Sequence, residues 1–149
     1  MIQRIQTVYL LIVAVFMVLM MSFPVGNFYT KTDLSEMTSL AVIRTDGTAD
    51  YTPWALFAIE MVIGVLSVVT IFLYKKRVRQ MRLALFSMIV LIGYYVTLGT
   101  FVWGVLKEYG SFAPSWTICL PLISIILDYL AIRAIGKDEM LVKAYERLR

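Results

Sequence analysis

An all-α membrane protein, a four-transmembrane-helix antiparallel bundle, is the fold class this sequence predicts, and three observations predict it. Of the 149 residues, 60% are hydrophobic, and mean hydropathy is +0.81, whereas an ordinary soluble domain is about 45–50% apolar. The excess falls in four runs, about residues 7–23, 54–74, 83–103 and 116–135. Each is close to the ~20 residues that a helix rising ~1.5 Å per residue needs to cross ~30 Å of hydrocarbon. The runs are also continuous, without the two-residue alternation of an outer-membrane barrel. One integral membrane domain over residues 1–149 is expected.

The first run follows Arg4, as the core of a secretory signal would, but no A-x-A-like site follows in MMSFPVGNFY. An uncleaved anchor is expected. Charge then orients the chain. All but three of the fourteen cations lie at the N-terminus, in the connection after the second run, and in the tail. The exceptions, Lys31, Arg44 and Lys107, alternate with these along the chain. The positive-inside rule places both termini in the cytoplasm, with residues 24–53 and 107–115 outside.

The net charge of +4 does not point to nucleic acid. Lys75, Lys76, Arg77, Arg79 and Arg82 are confined to one juxtamembrane loop, where they set topology and touch anionic lipid head groups. A single cysteine, Cys119, leaves no C-x-x-C pair for thiol–disulfide chemistry.

The outer segment 24–53 carries an Asp46-Gly47 turn signal between two extensible stretches, so a small hairpin is expected to cap the bundle. The second outer connection, KEYGSFAPS, is short and broken by Gly110 and Pro114, which makes the third and fourth helices antiparallel neighbours. Trp54, Trp103, Tyr109 and Trp116 fall at outer ends, as an interfacial belt should.

After Gly136 the tail KDEMLVKAYERLR reads as a separate amphipathic helix. Asp138 is its N-cap, Glu139 pairs with Lys143, and Leu141, Tyr145 and Leu148 share one face. That face either lies on the inner membrane surface or docks a cytoplasmic partner.

Two carboxylates, Glu60 and Asp128, stand inside the runs, where burial of an ionisable group demands a reason. Glu60 shares a helix face with Gly64 and Ser67, and Asp128 shares one with Thr117, Pro121, Ser124 and Ala131. The third run has a matching stripe, Gly93, Thr97, Thr100 and Gly104, so close helix packing along these faces is expected. Glu60 lies ~9 Å in from Trp54 and Asp128 ~7.5 Å in from Arg133, too far apart to share a proton. Tyr94 and Tyr95 are better partners for either acid. Glu60 is either a hydrogen-bonded packing element or, with Asp128, a proton or cation relay; Asp128 has the further option of pairing with Arg133 or Arg82.

The chain has no histidine, thiol cluster, phosphate loop or nucleophile elbow. No catalytic, cofactor or metal residue is therefore named.

The opening MIQRIQTVYLLIVAV and the closing AIRAIGKDEMLVKAYERLR resemble a family of small four-helix inner-membrane proteins of Bacteroidota-type bacteria, catalogued as a domain of unknown function. The resemblance spans the chain and implies a bacterial inner-membrane protein with four helices; it transfers no site residue. A non-enzymatic accessory or scaffold subunit of a membrane assembly is the expected function, with lipids and a membrane-protein partner or a second copy as contacts. The alternative is a small proton- or ion-coupled transporter or channel using Glu60.

Overall fold

The computed structural model describes residues 3–31 and 33–147. Four helices form the body: α1 (Gln3–Ser22), α2 (Trp54–Phe72), α3 (Arg77–Thr100) and α4 (Leu120–Arg147). All four are long and apolar enough to cross a membrane. Each packs on its two neighbours, α1 on α2 and α4, and α3 on α2 and α4. The buried positions recur at three- and four-residue steps, as in α3 with Gln80, Ala84, Ser87, Leu91, Tyr94 and Leu98.

Helices α1, α3 and α4 each continue past their apolar run at one end, whereas α2 stops just short of its own. A π turn, Phe101–Val105, prolongs α3, with the Leu106 N–H donating to the Phe101 carbonyl at 2.7 Å. At the opposite end α4 does not stop at Gly136. The expected tail helix is its direct continuation, and Asp138 lies within it rather than capping it. An interior glycine costs only ~1 kcal/mol, and Gly136 comes close to Met81 of α3, so packing carries the helix through. Leu148 lies outside the described residues.

The expected hairpin exists, but as part of a five-stranded antiparallel sheet of order β4-β3-β2-β1-β5. Strands β1 (Gly26–Tyr29), β2 (Leu34–Met37), β3 (Val42–Ile43) and β4 (Ala49–Asp50) come from the first connection. Gly47, at φ +80°, makes the turn between β3 and β4. The second connection supplies a 3₁₀ turn, Lys107–Tyr109, and β5 (Ser111–Pro114), paired with β1 in the register Phe28↔Phe112. It is a structured edge strand, not a bare loop. A second 3₁₀ turn, Trp116–Cys119, leads into α4.

One core joins the two layers. Val25, Phe28, Met37 and Val42 beneath the sheet pack with Leu56, Val102, Leu106 and Leu120 at the tops of the helices. The sheet therefore roofs one end of the bundle, the sheet end. The chain start, the α2–α3 connection and the α4 extension lie at the other, the terminal end.

Candidate functional site

Within the apolar interior of the bundle stands a set of buried polar side chains. Glu60 and Asp128 are both 0% exposed, and around them all four helices contribute further polar side chains.

At the sheet end, Glu60 of α2 accepts a hydrogen bond at 2.8 Å from the hydroxyl of Ser39, on the β2–β3 connection. The Ser39 hydroxyl also lies 3.3 Å from the Met20 carbonyl, and its own carbonyl accepts from the Phe57 N–H at 3.2 Å. The Tyr94 hydroxyl of α3 stands beside the other carboxylate oxygen, Oε2, without completing an aligned hydrogen bond. Tyr95 turns elsewhere, donating to the Ile118 carbonyl at 2.7 Å while its ring meets Tyr94 edge-on. Of the two tyrosines proposed as partners, only Tyr94 reaches an acid.

The middle layer follows from sequence spacing. Ser87 lies seven residues before Tyr94 on α3, and Ser67 seven residues after Glu60 on α2, two turns in each case. Because the helices are antiparallel, both serines come level where Glu60 and Tyr94 already meet. Asp128 of α4 lies beside the Ser87 hydroxyl, with Ser124 buried one turn nearer the sheet. Ser67 donates to its own helix, at the Ile63 carbonyl. Gln6 and Gln80, each fourth in its helix and both buried, form a third layer at the terminal end.

Asp128 forms no ion pair among the described residues, and Arg82 and Arg133 are both exposed. The expected pairing with either arginine does not occur, because both project away from the interior while Asp128 faces Ser87.

Gly64 does sit at a helix contact, its Cα turned to Met17 of α1, and Ser67 and Ser124 are buried as expected. The α3 stripe is not. Gly93, Thr97, Thr100 and Gly104 lie on the side away from the core, and a Cβ added at Gly93 or Gly104 would meet nothing within 4 Å. The polar residues Gln80, Ser87 and Tyr94 occupy the inner face of α3 and turn the glycines outward. Beside them a groove of about 510 Å³ runs past Tyr95, Val96, Gly99, Thr100, Trp103 and Gly104.

At the terminal end Lys75, Lys76, Arg79 and Arg82 are exposed. Arg77 differs: it donates to the Asp138 carbonyl at 3.1 Å and places its other nitrogen 3.3 Å from Asp138 Oδ2, an electrostatic contact rather than an aligned hydrogen bond. Lys143 and Glu139 pair at 2.9 Å as expected. Leu141 and Tyr145 are exposed.

Sequence reasoning missed Ser39 and the two glutamines. Ser39 lies in a connection with no helical phase to read. Gln80 and Gln6 lie on the buried faces at the ends of the apolar runs, and a seven-residue step back from Tyr94 through Ser87 leads to Gln80. Among the described residues no group of three or more histidine, cysteine or acidic side chains could hold a metal ion.

No curated protein matches the chain. A family model described as a domain of unknown function, DUF4293, matches residues 2–148, and the chain belongs to that family.

Proposed function

We propose that the chain is a non-enzymatic, multi-pass protein of the bacterial inner membrane, with both termini cytoplasmic, acting as an accessory or scaffold subunit of a membrane assembly. The outward face of α3 carries this reading. Small residues let membrane helices approach closely, yet Gly93 and Gly104 meet no other helix here and Trp103 beside them is 81% exposed. Such a face suits a neighbouring membrane helix, from a partner protein or a second copy. The exposed cations at the terminal end agree with a cytoplasmic position.

The test is gentle detergent extraction from the native membrane followed by native mass measurement, on the wild type and on Gly93→Leu/Gly104→Leu. The expected result is a companion or second copy at fixed stoichiometry that the variant loses while its helix content is unchanged. A bare monomer in both would overturn the reading.

Proton- or ion-coupled transport through Glu60 is the second reading. It is favoured by two buried carboxylates with no cation beside them among the described residues, in a bundle that otherwise needs none.

A further inference from the structure

Polar atoms buried without a partner are few in folded proteins, and each requires a cause. Among the described residues all but Asn27 Oδ1 in the sheet and Asp138 Oδ2 in the α4 extension fall on the inner faces of the four helices, along one line. Glu60 Oε2, Tyr94 OH, Ser124 Oγ, Ser87 Oγ, both Asp128 carboxyl oxygens, Gln80 Oε1 and Gln6 Nε2 are all sealed from solvent and lack an aligned hydrogen bond within the protein. On α3 alone the line from Tyr94 to Gln80 covers fourteen residues, or ~21 Å at ~1.5 Å per residue, most of a ~30 Å hydrocarbon core.

Direct pairing does not satisfy these groups. Tyr94 stands beside Glu60 and Ser87 beside Asp128 without closing an aligned bond, and the alternative for a carboxylate, a cation, is not present in the interior among the described residues. Water meets the requirement: it both donates and accepts, and it bridges polar groups set slightly too far apart.

We infer that this line is a hydrated, proton-binding column in which Glu60 and Asp128 exchange protons with water entering at the terminal end past Gln6 and Gln80. The inference rests on the helices standing in a membrane, not on any transported species. The column is closed at the sheet end, where Ser39 bonds Glu60 and the apolar layer of Val25, Phe28, Met37 and Leu56 lies above. At the terminal end Gln6 and Gln80 are themselves buried, so this conformation is closed there too and water enters as that layer opens, which makes the line a proton-binding element rather than an open pore.

The titratable groups facing the line are Glu60 from α2, Tyr94 from α3 and Asp128 from α4. Among its described residues α1 contributes Gln6 and apolar side chains to the buried face. Of the charges at the terminal end, Lys75, Lys76, Arg79, Arg82 and Arg133 are exposed, while half-buried Arg77 and Glu139 are engaged by Asp138 and Lys143.

The experiment reads the carbonyl stretch of protonated carboxyl groups by infrared spectroscopy of the full chain in lipid vesicles. The sample is taken through a pH series and then into D₂O, for the wild type, Glu60→Gln, Asp128→Asn and Gln80→Leu. The expected result is two buried carboxyl bands, each removed by one acid variant, both pH-dependent and both shifting in D₂O. Gln80→Leu, close in size, slows that shift severalfold for both bands and leaves their positions unchanged. Bands that never shift in D₂O, or an absence of pH dependence, would mean a dry packing layer and overturn the column. Flotation of the same vesicles keeps the two readings apart. Protein that does not float with lipid defeats the membrane reading and the column with it, whereas floated protein with unexchanged bands defeats the column alone.

Discussion

The hydroxyl of Ser39 donates to Glu60 at 2.8 Å across the boundary between the sheet and the helices. Together with the bond from the Phe57 N–H to the Ser39 carbonyl, it ties the sheet to α2 within a largely apolar boundary. Ser39→Ala leaves a buried carboxylate oxygen without its donor, which costs about 1–3 kcal/mol. Glu60→Gln keeps an acceptor for Ser39 and is expected to cost less, whereas Glu60→Leu strands the serine and loosens the roof. Thermal unfolding in detergent, with protease sensitivity of residues 30–50 as a second readout, checks the order. Equal stability of Gln and Leu at position 60 would remove the bond from the account.

The sheet carries its own pH-sensitive link. Tyr109 donates to Asp50 at 2.5 Å, and Arg44 donates to the Tyr109 hydroxyl at 3.1 Å while lying over its ring. Hydrogen bonds from Thr52 first, and then from Tyr109, hold the Asp50 carboxyl below its usual range, and the bond to Asp50 pushes the Tyr109 phenol up. A lowered acid stabilises the fold above its unfolded pKa of about 3.9 and loses that contribution as pH falls through the folded value. A raised phenol stabilises it below about 10 and loses that as pH rises through its folded value. The sheet is therefore expected to be firmest between these limits, and Tyr109→Phe to flatten both flanks, read as amide exchange in β3 and β4 against pH.

Gly110 is held at φ +104°, and a Cβ there would clash with the Tyr29 carbonyl. Gly110→Ala is expected to cost about 1–3 kcal/mol of backbone strain before that clash is counted. Because the residue leads into β5, loss of the β1–β5 pairing should precede loss of the bundle. Amide exchange at Ser111, Phe112 and Ala113 measured against helix content by circular dichroism checks it.

At the terminal end, Asp138→Asn removes a partly exposed ion pair and is expected to cost only about 0.2–1 kcal/mol. Leu141→Ser with Tyr145→Ser removes exposed apolar surface, so stability should stay within about 0.5 kcal/mol. Proteins that co-purify through the α4 extension should be lost from the double variant and kept by Asp138→Asn. An unaltered companion set would assign that surface to lipid.

Four helices, their approximate limits, the turn at Gly47 and the burial of Glu60, Asp128, Ser67 and Ser124 were all legible in the chain, because apolar length, turn chemistry and helical spacing are local properties. The facing of α3 was not. These helices carry large apolar side chains on their outward as well as their inward sides, so a stripe of glycines and threonines carries no mark of inside or outside. It took the packing of Gln80, Ser87 and Tyr94 against α2 and α4 to turn Gly93 and Gly104 outward. The partner of Glu60 was equally hidden, since Ser39 reaches it only once the sheet has folded over the helix ends. Strand β5 pairs with β1 across more than eighty residues of chain, a match between four-residue segments that no local pattern specifies. Sequence alone determined which residues would need burial, because hydrophobicity is summed residue by residue; the tertiary structure decided which of them would meet, because that depends on the register of elements distant along the chain.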